Sequence, residues 1–206
     1  MKIAIIGAGN VGRALAAGWR KSGHEVTLGV RDAAGRRASE LNQQGFAIAA
    51  PGDAAARADV VVLAVPWDAL RSTVESLGSL AGKIVIDAIN PLAADMSLAV
   101  GHSDSAGETV ARLVPGARVV KAFNTTGANN MADSHYPHSK LVMLVAGDDT
   151  QAKASVMSLA SDLGLEPVDA GPLAMSRYLE PMAMVWIKLA LVQKLGRDFG
   201  FALLRR

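Results

Sequence analysis

An α/β fold on a doubly wound, mostly parallel sheet, with a small C-terminal α/β extension, is what this sequence predicts, and three observations predict it. Short apolar runs alternate with stretches of helical length through most of the 206 residues, the pattern of strands joined by crossover helices. The runs are continuous, as in VVVLAV at 60–65, which suits parallel strands covered on both faces. At the N-terminus, strand, glycine turn, helix and strand follow one another within residues 2–31.

That opening unit organises the rest. Residues 2–6 are the first strand, and Gly7, Gly9 and Gly12 follow at the G-x-G-x-x-G spacing. Gly7 makes the tight turn, Gly9 lets a pyrophosphate approach the backbone, and Gly12 lets the helix pack close to the sheet. A helix beginning near Asn10 aims unpaired N–H groups and the positive end of its dipole at the phosphates. In this βαβ context the spacing reads as a dinucleotide site built from Gly7, Ala8, Gly9, Asn10 and Val11.

Beyond the second strand, residues 33–44 form a helix with Asp32 placed as its N-cap. A short strand at 46–49, a brief helix at 53–58 and the buried strand at 60–65 follow, closed by Pro66 and Trp67. A helix at 68–77, a strand at 83–88 ended by Asn90 and Pro91, a helix at 106–113 and a strand at 118–122 complete a Rossmann-like core in the order 3-2-1-4-5-6. Residues 124–140 are irregular and form the longest loop, a length that is usually functional or mobile. Strands at 141–146 and 166–169 flank a helix at 150–163, and a last apolar helix spans 176–195, interrupted by Pro181. The division is a dinucleotide-binding domain at 1–140 and an extension at 141–206 packed on it, the two together able to count as one domain. The last helix is greasy nearly all round, so it is either buried or the seam of a homodimer.

Composition narrows the function. Half the residues are apolar and 19% are charged, enough for a sizeable core and unlike a disordered chain. The net charge is +2, with its basic residues scattered, which argues against nucleic acid as a partner. The absence of cysteine excludes disulfides, thiolate nucleophiles and cysteine-bound metals. The first strand starts at Lys2, leaving no room for a targeting peptide, and the apolar stretch at 181–192 is too short for a membrane span. The expectation is a cytoplasmic protein without a membrane partner.

The end of the second strand selects the dinucleotide. An NAD site needs an acidic residue there, and this chain has Gly29, Val30 and Arg31. Arg31 can pair with a 2′-phosphate through its planar fork, so NADP is expected, with Arg36 and Arg37 adding charge. Ligands of such sheets lie outside the carboxyl ends of the strands, which here carry Val65, Pro66, Trp67, Asn90, Phe123 and Asn124. Trp67 reads equally as a nicotinamide wall or as packing at a helix start, and Asn90 equally as a ligand for ribose or carboxamide or as a turn residue before proline. Lys121 and Asn124 resemble the Lys-x-x-Asn pair of hydroxyacid dehydrogenases, where the lysine is a general acid on a helix; its place in a strand disfavours that role. His135 and His138 lack a nearby third metal ligand, which favours a solvated loop, and His24 reads as structural. No nucleophile triad or carboxylate pair stands out. A reaction needing little protein acid–base help remains, such as hydride transfer between two cofactors.

The runs GAGNVGRALA, GHEVTLGVR, AVPW, IDAINP, VVKAFN, AGDD and DAGPL-x-x-SRYLE, in this order over nearly the whole chain, resemble the coenzyme F420-dependent NADP oxidoreductases and their bacterial homologues. VVKAFN and PVDAGPLA are also similar to the cytoplasmic reductase domain of the STEAP metalloreductases. The resemblance implies a dimer that transfers hydride directly between NADPH and a deazaflavin (F420), or a flavin such as FMN or FAD in the STEAP relatives. It implies that Gly7, Gly9, Asn10 and Val11 hold the pyrophosphate and Arg31 the 2′-phosphate, with Pro66, Asn90, Phe123 and Asn124 bordering the redox pocket. The glycine loop is one residue shorter than in archaeal members, and Val30 replaces their serine, leaving the phosphate pocket one hydroxyl poorer. Two other readings stay open: a reductase of small imines or hydroxyacids, and a protein that senses NADPH through a partner without turnover.

Overall fold

All 206 residues are described in the computed structural model. In chain order the elements are β1 (Lys2–Ile6), α1 (Asn10–Lys21), β2 (Glu25–Gly29), α2 (Arg36–Gln43), β3 (Ala47–Ala49), α3 (Pro51–Arg57), β4 (Val60–Leu63) and α4 (Leu70–Glu75). They continue with β5 (Ile84–Asp87), α5 (Ala106–Leu113), β6 (Arg118–Lys121), α6 (Ala128–Ala132), β7 (Val142–Gly147), α7 (Thr150–Asp162), β8 (Glu166–Gly171) and α8 (Ser176–Ile187), whose last turns, Lys188–Val192, are π-helical.

Eight strands make one sheet in the order β3-β2-β1-β4-β5-β6-β7-β8, the first six as the sequence predicts. Every neighbouring pair is parallel except β6 and β7. Val120 faces Gly147 and Lys121 faces Ala146 in that antiparallel join, so residues 141–206 extend the sheet of the core. Pro167 lies in β8 at the sheet edge, where a missing N–H costs no ladder bond.

Alternation along each strand feeds two cores. Ile3 and Ile5 pack with Leu15, Leu41, Met131 and Val156 on one face, while Ala4 and Ile6 pack with Ala54, Leu70, Val74 and Val110 on the other. Trp19 joins the first core to the extension: its indole N–H donates to the Leu159 carbonyl at 2.8 Å, and its ring meets Phe123 edge-on at 5.5 Å.

Three local expectations need correction. The helix predicted from residue 33 begins at Arg36 behind Gly35, and no side chain caps it; Asp32 instead opens a turn, its carbonyl accepting the Gly35 N–H at 3.2 Å. The loop at 124–140 contains α6, and Asn124, Thr125, Thr126 and Asn130 within it are buried. The last helix ends at Val192, short of Leu195, and runs through Pro181 unbroken. Behind it the C-terminal tail folds back: Trp186 stacks on Phe199, and the Val142 N–H donates to the Phe201 carbonyl. No helix is long and apolar enough to cross a membrane.

Candidate functional site

The glycine turn is shaped by what surrounds it. Gly7 has φ +112°, and a Cβ there would stand 2.3 Å from the Ala64 carbonyl oxygen at the end of β4. A Cβ on Gly12 would meet the Gly7 oxygen at 2.0 Å, so only glycine lets α1 sit this close to β1. Gly9 is the opposite case, since a Cβ on it would find no atom within 4 Å. That open space lies at the start of α1, which no side chain caps. The first helical bond is from the Arg13 N–H to the Gly9 oxygen, leaving the N–H groups of Asn10, Val11 and Gly12 without helical acceptors. A cradle empty of side chains and rimmed by unpaired donors fits a pyrophosphate.

Arginines frame this turn. Arg37 reaches back from α2 and donates to the Ala8 carbonyl at 2.9 Å, while the Ala8 methyl is buried in the core. Arg13 donates to Asn10 Oδ1 at 3.0 Å, and with Arg36, Arg37, Glu40 and Gln44 it lines a shallow cleft. Arg36 is paired with Glu40 on the surface. Arg31, just past β2, is exposed and forms no ion pair in the structure, so its fork is free for an anion. At Gly29 itself a Cβ would press on Ile6 Cδ1 at 2.8 Å and Pro51 Cα at 3.2 Å. A side chain there would have to push Ile6 and α3 aside, which leaves Arg31 as the exposed residue at the end of this strand.

On the other side of β1, the strand ends bring Val65, Pro66, Asn90 and Asn124 to one edge of the sheet. Val65 is half-buried with its Cγ1 against Gly7, and Pro66 is exposed. Trp67, half-buried, opens a short 3-10 turn and packs on the second core, which satisfies the packing reading. Asn90 and Asn124 form a reciprocal pair. Asn90 Nδ2 donates to the Asn124 carbonyl at 2.9 Å, and Asn124 Nδ2 donates to Asn90 Oδ1 and to the Leu179 carbonyl, both at 3.1 Å. With both amide protons committed, Asn124 Oδ1 is a buried acceptor with no donor from the chain, and a buried acceptor of this kind calls for one. Phe123 reaches this edge only through its backbone: its ring is 1% exposed against Trp19, and its φ of +60° is strained for a bulky residue.

Directly beneath that edge lie three charges that sequence reasoning did not connect. Lys121 is fully buried, and its ammonium donates to Asp87 Oδ2 at 2.9 Å, to Glu180 Oε1 at 2.8 Å and to the Ile89 carbonyl. Glu180 also accepts the N–H groups of Ala106 and Gly107 at the start of α5, at 3.0 and 3.1 Å. Burial pushes the Glu180 carboxyl above its ordinary value, with Lys121 pulling it back. The signal was in the sequence: Asp87 and Lys121 are charges in otherwise apolar strands, and a charge there needs a partner. Fully buried with its N–H groups committed to Asp87, Glu180 and Ile89, Lys121 faces no substrate space, which fits the structural reading over the general-acid one. His135 and His138 are exposed, no cluster of metal-ligating side chains occurs, and His24 is paired with Asp162 at 2.9 Å.

The family model described as "NADP oxidoreductase coenzyme F420-dependent" matches residues 2–91. The F420-dependent NADP reductase of Methanothermobacter thermautotrophicus is 34% identical over 209 residues, covering 92% of this chain and 89% of that protein. Metalloreductase STEAP3 of Rattus norvegicus is 31% identical over 183 residues, 89% of this chain, but the chain spans only 36% of that protein's length. A crystal structure from Arthrobacter sp. FB24 superposes with a TM-score of 0.89 at 34% identity, each chain covered in full.

Proposed function

We propose, for a chain that belongs to the family of coenzyme F420-dependent NADP oxidoreductases, that it moves a hydride between NADP(H) and a deazaflavin (F420) or flavin (FMN or FAD) acceptor. The observation that carries the reading is a pair of unlike half-sites along one sheet edge. One is the open, donor-rimmed cradle at Gly9, past β1, and the other is the buried, unpartnered Asn124 Oδ1, past β6, with β4 and β5 between them.

In this reading the N–H groups of Asn10, Val11 and Gly12 hold the pyrophosphate, and Arg37 keeps the Ala8 carbonyl turned away from it. Arg31 takes the 2′-phosphate in a two-pronged hydrogen bond. Asn124 Oδ1 accepts from an N–H of the deazaflavin or flavin ring that receives the hydride, and Val65 and Pro66 add an apolar border to the pocket. When bound, the dinucleotide supplies the hydride itself. The chain's contribution is orientation of the two rings; the hydride passes directly between them, and the proton that completes the reduced acceptor comes from solvent. Asp87, Lys121 and Glu180, the nearest charges, are fully committed to one another.

The reading includes a homodimer through α8. Tyr178, Val185 and Val192 recur on its outer side, 68%, 53% and 62% exposed, an apolar stripe of the kind that seeks cover. Anaerobic NADPH oxidation with F420, FMN and FAD in turn tests the catalytic reading, and turnover with one of them is expected. Tight NADPH binding with none of the three reduced would overturn it in favour of a sensing role.

A further inference from the structure

We infer that Lys121, Asp87 and Glu180 form a positioning device that sets the Asn90–Asn124 pair, and that α8 is thereby a structural part of the acceptor side of the site. The inference rests on the proposed hydride transfer for what the pair does, but the device itself stands on hydrogen-bond geometry.

The bonds close a ring. Lys121 on β6 takes the Ile89 carbonyl, and Asp87 on β5 takes the Ile89 N–H through Oδ1 at 2.9 Å, so both backbone groups of the residue before Asn90 are fixed by the ion pair. Asn90 then pairs with Asn124 in both directions. Asn124 donates onward to Leu179 on α8, and the next residue, Glu180, returns to Lys121. A second charged contact of the same helix, from Arg177 to Glu108 on α5 at 2.6 Å, holds α8 at this height.

Energetic preference alone does not explain such a cluster. One ammonium against two carboxylates, all fully buried, pays a desolvation cost that apolar residues of equal size would avoid. What the charges supply is direction. Each carboxylate oxygen meets a donor: Asp87 Oδ1 the Ile89 N–H, Asp87 Oδ2 Lys121, Glu180 Oε1 Lys121 and Gly107, Glu180 Oε2 Ala106. A network satisfied at every oxygen permits one arrangement of its members. The consequence is that Asn124 Oδ1, the one side-chain oxygen of the asparagine pair without a donor, is held at a fixed position.

Two shape-preserving substitutions, Glu180→Gln and Asp87→Asn, test the device, because each sets an amide NH2 against an existing donor while keeping side-chain size. The first readout is the side-chain amide proton signals of Asn90 and Asn124, recorded by NMR without cofactor. They should be dispersed and slow to exchange in the parent protein, and collapse toward free-amide positions in both variants. The second is a split in function: the NADPH dissociation constant should stay within about twofold, since the cradle at Gly9 is remote and shares no partner. Turnover with the acceptor should fall about ten- to a hundredfold. Unchanged Asn90 and Asn124 signals in a folded variant would overturn the positioning role. A parent protein that reduces no acceptor, with the asparagine signals still lost in the variants, would leave that role standing and remove the functional reading instead.

Discussion

Replacing Gly9 with alanine should weaken dinucleotide binding while sparing the fold, and replacing Gly12 should destabilise the fold itself. At Gly9 the backbone has φ −73° and ψ −168°, comfortable for alanine, and the new methyl meets no atom within 4 Å. The few tenths of a kcal/mol lost at the cap are offset by about 0.4–1 kcal/mol from a less flexible unfolded chain. The Tm should therefore move by less than about 4 °C. The methyl does occupy the space in which phosphate oxygens would meet the N–H groups of α1. Losing one charge-assisted hydrogen bond costs about 1.5–3 kcal/mol, which is about a ten- to a hundredfold weaker NADPH complex. At Gly12 the added carbon lies 2.0 Å from the Gly7 oxygen, so α1 must lift from the sheet. Overpacking of this kind costs about 1–3 kcal/mol, or about 2–12 °C in Tm. Thermal unfolding and calorimetric NADPH titration of the two variants separate the effects. Gly9→Ala binding NADPH like the parent, or unfolding as early as Gly12→Ala, would refute the division of labour.

Arg31→Ala should weaken NADPH by about tenfold or more and NADH little, because only the 2′-phosphate engages the guanidinium fork; equal losses in a titration of both would contradict it. Acid should loosen the contact between α5 and α8: the Arg177 guanidinium holds the Glu108 carboxyl below its ordinary value. A depressed carboxylate stabilises fully above its unfolded pKa, and that contribution is lost as pH falls through the folded one. Urea midpoints measured from neutral pH downward should therefore drop less steeply in Arg177→Gln than in the parent, and parallel curves would show the pair to be idle. Val185→Glu, on the exposed stripe of α8, should shift the sedimenting mass from dimer to monomer; an unchanged mass would place any dimer seam elsewhere.

The cradle was legible in the sequence because its chemistry is local. Gly7 and Gly12 make the close backbone contacts their spacing assigns, Gly9 has open space before it, and the strand order follows from the alternation of apolar runs with helices. Asp32 misled because a capping residue and a turn residue look alike in sequence, and Gly35 is what ends up before α2. Phe123 misled for a different reason: its place at a strand end points to the ligand side, but its left-handed backbone turns the ring inward against Trp19. The Lys121 network was illegible because its members lie far apart in the chain, on β5, β6 and α8, and only the fold brings them together. They fall within IDAINP, VVKAFN and SRYLE, three of the runs that carried the family resemblance. Those runs thus encode the frame of the acceptor edge as well as its rim.

Whether this chain brings two redox cofactors together is decided by a single-turnover reaction. Enzyme loaded with one equivalent of NADPH carrying deuterium at the transferable position would be mixed anaerobically with F420, FMN or FAD, and the acceptor absorbance followed. One acceptor should bleach at a stoichiometry of one per NADPH, more slowly than with unlabelled NADPH. NADPH that stays bound and reduced in the presence of all three acceptors would contradict it.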